Sequence, residues 1–177
     1  MRERRPQSDS FEDLAMPLFD QLYNFAHWLT HDRDEAEDLV QETYAKALRG
    51  FSSFEPGTNF RAWMYRILRN TFLTSRTGLK AAAVNVPLEA EERSEVAVTS
   101  DTPETIFLER ANQQLVQEAI AELPLHFREI LLLCEVEEMS YQEIAETLVI
   151  PQGTVMSRLS RARATLRELL RQKLGRR

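Results

Sequence analysis

An all-α fold of two small helical domains joined by a flexible acidic linker is what this 177-residue chain predicts. Three observations carry the expectation. Apolar residues recur three and four apart over most of the length, no alternating apolar and polar run lasts as a strand requires, and the helical pattern fails once, in an acidic stretch past the middle. With 43% apolar and 28% charged residues and five glycines, the composition is ordinary for a globular protein. The length suits one domain of about 150 residues or two smaller ones.

Residues 1–10 read as a charged tail. Met1-Arg2-Glu3-Arg4-Arg5-Pro6 leads into polar residues and lacks the apolar centre of a signal peptide. No apolar run approaches the roughly 18 residues of a membrane span, so the expected location is cytoplasmic, with no membrane insertion of the chain's own. The single cysteine, Cys134, can form neither an intrachain disulfide nor a cysteine zinc site, which fits a reducing compartment.

An N-terminal domain is expected over 11–76. Phe11, Leu14, Ala15, Leu18, Leu22, Phe25, Ala26 and Leu29 form its first stripe, which Pro17 breaks or restarts. Ala36, Leu39, Val40, Thr43 and Ala47 form the second, with Asp32 and Glu35 spaced as a capping pair. After the turn-like Phe51–Gly57, Thr58 or Asn59 can cap a third helix that buries Phe60, Met64, Ile67, Leu68 and Thr71. From about Thr77 to Pro103 no stripe survives, and residues 77–102 read as the linker; residues 81–110 hold two basic residues against seven acidic ones. Thr102-Pro103-Glu104 then looks like an N-cap followed by proline at the first helical position. It opens a four-helix C-terminal module over 103–174, with helices at about 103–122, 125–136, 140–148 and 152–172.

The net charge of −6 conceals an uneven distribution, because the last 20 residues hold eight basic residues and one acid, Glu168. A basic stripe on one element is the footprint of a nucleic-acid site. Ser140-Tyr141-Gln142-Glu143 is a capping box, and the break Val149-Ile150-Pro151 precedes a longer basic helix. This is helix-turn-helix spacing, whose second helix enters the major groove by its N-terminal end. With Val155 at zero on a helical wheel, Leu159, Ala162, Leu166, Leu169 and Leu170 form the buried side. The opposite side carries Gly153, Ser157, Ser160, Arg161 and Ala164, flanked by Met156, Arg163 and Arg167 on one edge and Thr154 and Arg158 on the other. Small polar residues beside arginines suit a groove-reading face; a solvated basic helix in a bundle is the plainer alternative.

Asp34, Glu35, Asp38 and Glu42 cluster on the outer side of the second helix, where a solvated face is the default reading. The third helix holds no acid and gathers Arg66, Arg69 and Arg76 with Tyr65, and Trp63 on a flank. Rings between arginines suit single-stranded nucleic acid, although Trp63 and Tyr65 fit a core role equally well.

Three segments in register resemble the extracytoplasmic-function sigma factors, the small two-domain branch of the bacterial sigma-70 family. They are Asp34–Thr43, Phe60–Asn70 and Gly153–Arg163, and the likeness runs over roughly residues 10–173. The resemblance implies a promoter-specificity subunit that binds core RNA polymerase and directs transcription initiation, for a stress or envelope-signal regulon. It implies polymerase binding by Asp34, Glu35, Asp38, Gln41 and Glu42. It implies minus-ten recognition and melting, with capture of a single-stranded base, by Asn59, Arg61, Trp63, Tyr65, Arg66, Arg69 and Asn70. Duplex reading of the minus-thirty-five element falls to Gln152, Thr154, Met156, Ser157, Arg158, Ser160, Arg161 and Arg163. Members commonly carry Lys or Arg where this chain has Met156, so no particular upstream sequence is carried over. A cognate anti-sigma factor is a further implied partner.

A stand-alone helix-turn-helix regulator is the alternative, and it leaves the acidic helix and the aromatic-arginine helix unused. A metal-dependent nuclease or recombinase is disfavoured because the exposed carboxylates lack a convergent partner segment; no catalytic residue, cofactor or metal ligand is expected. His27 and His31 are four apart, but no Glu follows His27, and they read as surface or partner-facing residues. His126 reads as a helix-start residue and Cys134 as a buried small apolar one.

Overall fold

Pro17 has no amide hydrogen to continue the first helix. In the computed structural model, which describes residues 10–77 and 105–175, α1 (Phe11–Ala15) passes into a 3-10 turn at Met16–Leu18 before α2 (Phe19–Thr30) resumes. The Tyr44 hydroxyl donates to the Ala15 carbonyl beside this break at 2.6 Å. Burial, helped by the Asp20 charge, pushes Tyr44 up to about 12, so it remains a donor across the physiological range.

The helix α2 closes on His31, left-handed at φ 58, whose N–H returns to the His27 carbonyl at 2.8 Å. Helix α3 (Arg33–Gly50) starts at Asp32, whose carboxylate accepts from the Glu35 amide at 2.9 Å. Only this half of the expected capping pair forms. The Glu35 carboxylate instead meets Arg76 at 2.7 Å and ties α3 to α4 (Phe60–Thr77). Asn59 is the cap of α4, accepting from the Ala62 amide at 2.9 Å, while the Thr58 hydroxyl donates to the Glu55 carbonyl at 2.7 Å.

These four helices form the N-terminal of two compact units. Its centre is Leu22, Phe25, Leu29, Leu39, Val40, Met64, Tyr65, Leu68 and Phe72, all buried. Each large apolar side chain here contributes about 1.5–3 kcal/mol by leaving water. Phe60 and Ile67, expected inside, are half-buried, whereas Ala62 and Tyr65 are buried in their place.

The C-terminal helices are α5 (Thr105–Glu122), α6 (Leu125–Leu131), α7 (Tyr141–Leu148) and α8 (Gln152–Leu174), and the second unit takes in all of them but Glu146–Leu148. The helix expected at about 125–136 has that extent but changes type, α6 giving way to a π-helical turn over Leu132–Val136. Ile130, Leu131, Leu132 and Leu133 are all buried in succession, so this is a segment covered on every side rather than an amphipathic one. Arg128 satisfies the end of α5, donating to the carbonyls of Ile120, Ala121 and Leu123. The capping box of α7 is complete, with Ser140 and Glu143 bonding each other's amides at 2.9 and 3.2 Å.

The residues 1–9, the linker beyond Thr77 and the Thr102-Pro103-Glu104 helix start lie outside the described residues. No helix among the described residues is long and apolar enough to cross a membrane.

The turn after α7 stores strain. Val149 adopts φ 56, with its own N–H and that of Ile150 returning to Ala145, and the side chain is 69% exposed. A β-branched residue in the left-handed region costs about 1–2 kcal/mol, and little packing offsets it. Val149→Asn should therefore raise stability by about 1 kcal/mol. A urea midpoint that fails to rise, at unchanged slope, would rule out the strain.

Candidate nucleic-acid interface

Which side chains α8 presents is settled by what it buries. Val155, Leu159 and Ala162 are inaccessible, and the helix packs along α5 and α6. Up to Ala164 the outward residues are Gln152, Gly153, Met156, Ser160, Arg163 and Ala164. Thr154, Ser157, Arg158 and Arg161 are half-buried. The exposed stripe is thus rotated from the one the wheel suggests, and Met156 moves from its edge to its middle, 58% exposed. Ser157, expected at the centre, instead donates its hydroxyl to the Thr154 carbonyl at 3.2 Å.

The arginines are not one open cationic stripe. Arg163 holds Glu135 at 2.6 Å, and its Nη2 lies 3.8 Å from Cys134 Sγ. Cys134 is half-buried rather than buried, and burial followed by the Glu135 charge pushes its thiol up. Arg171 lies 3.9 Å from Glu168, and Lys173 reaches Glu122 at 2.6 Å and Glu118 at 3.6 Å on α5. The Arg161 Nε is buried with no hydrogen-bond partner. His126, the second residue of α6, feels Arg158, Arg161 and the buried Glu129. Neither Glu135 nor Glu129 was a candidate from sequence, because contacts such as Arg163 to Glu135, 28 residues apart, leave no local periodicity.

The start of α8 is open. Pro151 provides no side-chain cap, and a Cβ placed on Gly153 would meet nothing within 4 Å. Free amides at a helix N-terminus attract phosphate oxygens, and a glycine there lets a backbone come close.

In the N-terminal unit, Asp34, Glu35, Asp38, Gln41 and Glu42 are all exposed on α3. Glu42 pairs with Lys46 at 2.7 Å and Glu35 with Arg76, which also stands 5.3 Å over the Phe72 ring. Between these pairs lies a hollow of about 270 Å³ lined by Glu35, Asp38, Leu39, Phe72 and Arg76.

The aromatic candidates of α4 divide. Tyr65 is fully buried, 5.2 Å from the Phe25 ring, so it belongs to the core and offers no face to a base. Trp63 is half-buried in an aromatic cluster, 5.2 Å from Phe54 and 5.4 Å from Phe60. That cluster clamps the loop of residues 51–59 onto α4, while Ser52, Ser53, Glu55, Pro56, Gly57 and Thr58 face solvent. Gly57 sits at φ 90, a conformation only glycine adopts cheaply. Arg61 lies 5.6 Å over Tyr65, Arg61, Arg66 and Arg69 are half-buried, Asn70 is exposed, and Asn59 is engaged as the helix cap.

Two family models match this chain, Sigma-70 region 2 over residues 6–81 and Sigma-70, region 4 over residues 113–166. The ECF RNA polymerase sigma factor SigE of Mycolicibacterium smegmatis is 34% identical, covering 91% of this chain and 62% of that protein. The ECF RNA polymerase sigma factor EcfG of Rhodopseudomonas palustris is also 34% identical, covering 93% of this chain and 87% of that protein. Among solved structures, the sigma factor RpoE in complex with the anti-sigma factor NepR from Bartonella quintana matches with TM-score 0.64 and 32% identity, covering 90% of this chain and 98% of that one.

His126 gives the C-terminal unit a pH dependence. Partial burial first, then Arg158 and Arg161, hold it below its ordinary value, and Glu129 only partly opposes them. The folded state thus prefers the neutral imidazole. Its contribution is present above about pH 6.5 and is lost as pH falls below that through the depressed value. Between pH 7 and 5 the parent should lose more stability than His126→Gln. Equal losses by urea denaturation would exclude His126 as the cause.

Proposed function

The chain belongs to the sigma-70 family, and from that premise we propose how its two units divide the work of a sigma factor. The protein binds core RNA polymerase and promoter DNA and directs promoter-specific transcription initiation. This is not an enzyme class; the chemistry of RNA synthesis stays with the polymerase. We assign the N-terminal unit, residues 11–76, to polymerase binding and the minus-ten element, and the C-terminal unit, residues 103–174, to the minus-thirty-five element. The acidic linker over 77–102 joins them, and the protein acts in the bacterial cytoplasm. An anti-sigma partner is part of this reading, as in the solved complex of the similar RpoE.

One observation carries the assignment. The second helix of a helix-turn-helix begins with an uncapped N-terminus, a glycine facing open space, and the outward Met156 and Ser160. That end admits a phosphate closely and lays side chains along a groove. Gln152, Thr154, Met156, Ser157, Arg158, Ser160, Arg161 and Arg163 are the residues assigned to it. Arg163 reaches DNA only by leaving Glu135, and the half-buried Ser157 and Arg161 act from the flank.

In the N-terminal unit, the exposed carboxylates of α3 with Gln41 are assigned to polymerase. The loop of residues 51–59 with Asn59, Arg61, Trp63, Arg66, Arg69 and Asn70 is assigned to the separated strand. Tyr65 acts there only as the packed support of α4. A stand-alone regulator accounts for the C-terminal unit alone and leaves the matched region 2 without work.

Reconstitution with core polymerase on a library of random promoters tests the whole reading. The expected result is initiation from a defined promoter subset, and no enrichment would sink it. Asp38→Lys with Glu42→Lys should weaken core binding at least tenfold, while exposed charges such as these contribute about 0–1 kcal/mol to folding. Unchanged core affinity in a folded variant would remove α3 as the polymerase face. Gly153→Ala should stabilise α8 by about 0.5 kcal/mol, because nothing within the chain opposes the methyl. It should at the same time weaken footprinting of the upstream element; a variant that is more stable and footprints normally would show that no backbone approaches there.

A further inference from the structure

Met156 is among the few large apolar residues that the C-terminal unit leaves open, 58% exposed at the centre of the outward face of α8. Its neighbours on that face do not cover it: Gly153 has no side chain, Ser160 is short, and Arg163 is turned toward Glu135. In the first two turns Met156 and Gln152 therefore project furthest from the helix. We propose that Met156 is a specificity-determining residue that reads the C5 methyl of a thymine in the major groove of the upstream element.

The chemistry narrows the choice. A thioether has no proton to donate and accepts weakly, so it cannot pair with guanine O6 and N7, adenine N6 or cytosine N4. The one apolar group on a major-groove base edge is the thymine methyl. An unbranched side chain with three rotatable bonds can follow that methyl over a range of docking distances. Burial of the exposed thioether against DNA rewards the same contact by removing both apolar surfaces from water.

This inference rests on the assignment of α8 to the upstream element, and the experiment separates the two. Holoenzyme reconstituted from the full chain and core polymerase is used to select a preferred upstream element from a randomised library. Each thymine of that element is then replaced singly by deoxyuridine, which keeps every hydrogen-bonding group and deletes only the methyl. At one position the replacement should weaken promoter binding by the parent about fourfold, the worth of one buried methyl-sized group. Met156→Ala should bind thymine and uracil equally at that position while keeping its response elsewhere in the element. Met156→Arg should move the preference there toward guanine. The melting temperature of either variant alone should match the parent, since the side chain packs against nothing that folding needs.

Parent holoenzyme that never distinguishes thymine from uracil would overturn the proposal, as would discrimination that persists in Met156→Ala. Loss of core-polymerase affinity in Met156→Ala with unchanged promoter selection would also overturn it, since the residue would then face a protein. Absence of any selected upstream element would be a failure of the α8 assignment itself.

Discussion

The burial of Val155, Leu159 and Ala162 against the rest of the C-terminal unit is the constraint on which the outward geometry of α8 depends. A helix can rotate about its own axis at little backbone cost, so only packing fixes which residues look outward. Once those three are inside, Gly153, Met156, Ser160 and Arg163 must be outside, and Arg158 and Arg161 fall on the half-buried flanks. The same packing brings Arg163 to Glu135 and Arg158 and Arg161 toward His126. Arg128 supports the arrangement from behind, its guanidinium donating to the carbonyls of Ile120, Ala121 and Leu123 where α5 ends.

The N-terminal unit solves a related problem with aromatic packing. Phe51, Phe54, Phe60 and Trp63 stack or meet edge to face at centroid distances of 5.2 to 6.1 Å, holding the loop before α4 by its side chains. Such pairs add about 0.5–1.5 kcal/mol each beyond the area they bury. The loop's exposed hydroxyls and its Gly57 turn are thereby presented to solvent from a firm support, which lowers the ordering cost of binding any partner. Tyr65 lies deeper, against Phe25, and sets the depth of α4.

The electrostatics follow the same division. A chain at net −6 can serve an anionic polymer only if its charges are segregated, and here the acids crowd α3 while the bases crowd α8. Ion pairs such as Glu35 with Arg76 and Arg163 with Glu135 are half exposed and so contribute modestly to stability. Their consequence is orientation: each holds a long side chain in one place until a partner competes for it.

The sequence by itself determined every helix among the described residues to within a few positions, the restart at Pro17, the capping box at Ser140 and Glu143 and the helix-turn-helix spacing. These are local matters, set by periodicity over neighbouring residues and by cap chemistry three residues apart. It also carried the family likeness, because three motifs in order survive without any knowledge of packing. What it could not decide was rotation, depth and partnership. A wheel drawn on α8 placed Ser157 and Arg161 on its outward side, whereas the fold half-buries both and leaves Gln152, Met156 and Arg163 exposed. Whether Tyr65 met a base or the core, whether Glu35 closed a capping box or reached Arg76, and whether Arg163 stood free or held Glu135 each turned on a residue distant in the chain. Only the tertiary structure places such residues within hydrogen-bonding reach, because close approach between distant segments is a product of burial, and burial is a property of the whole unit.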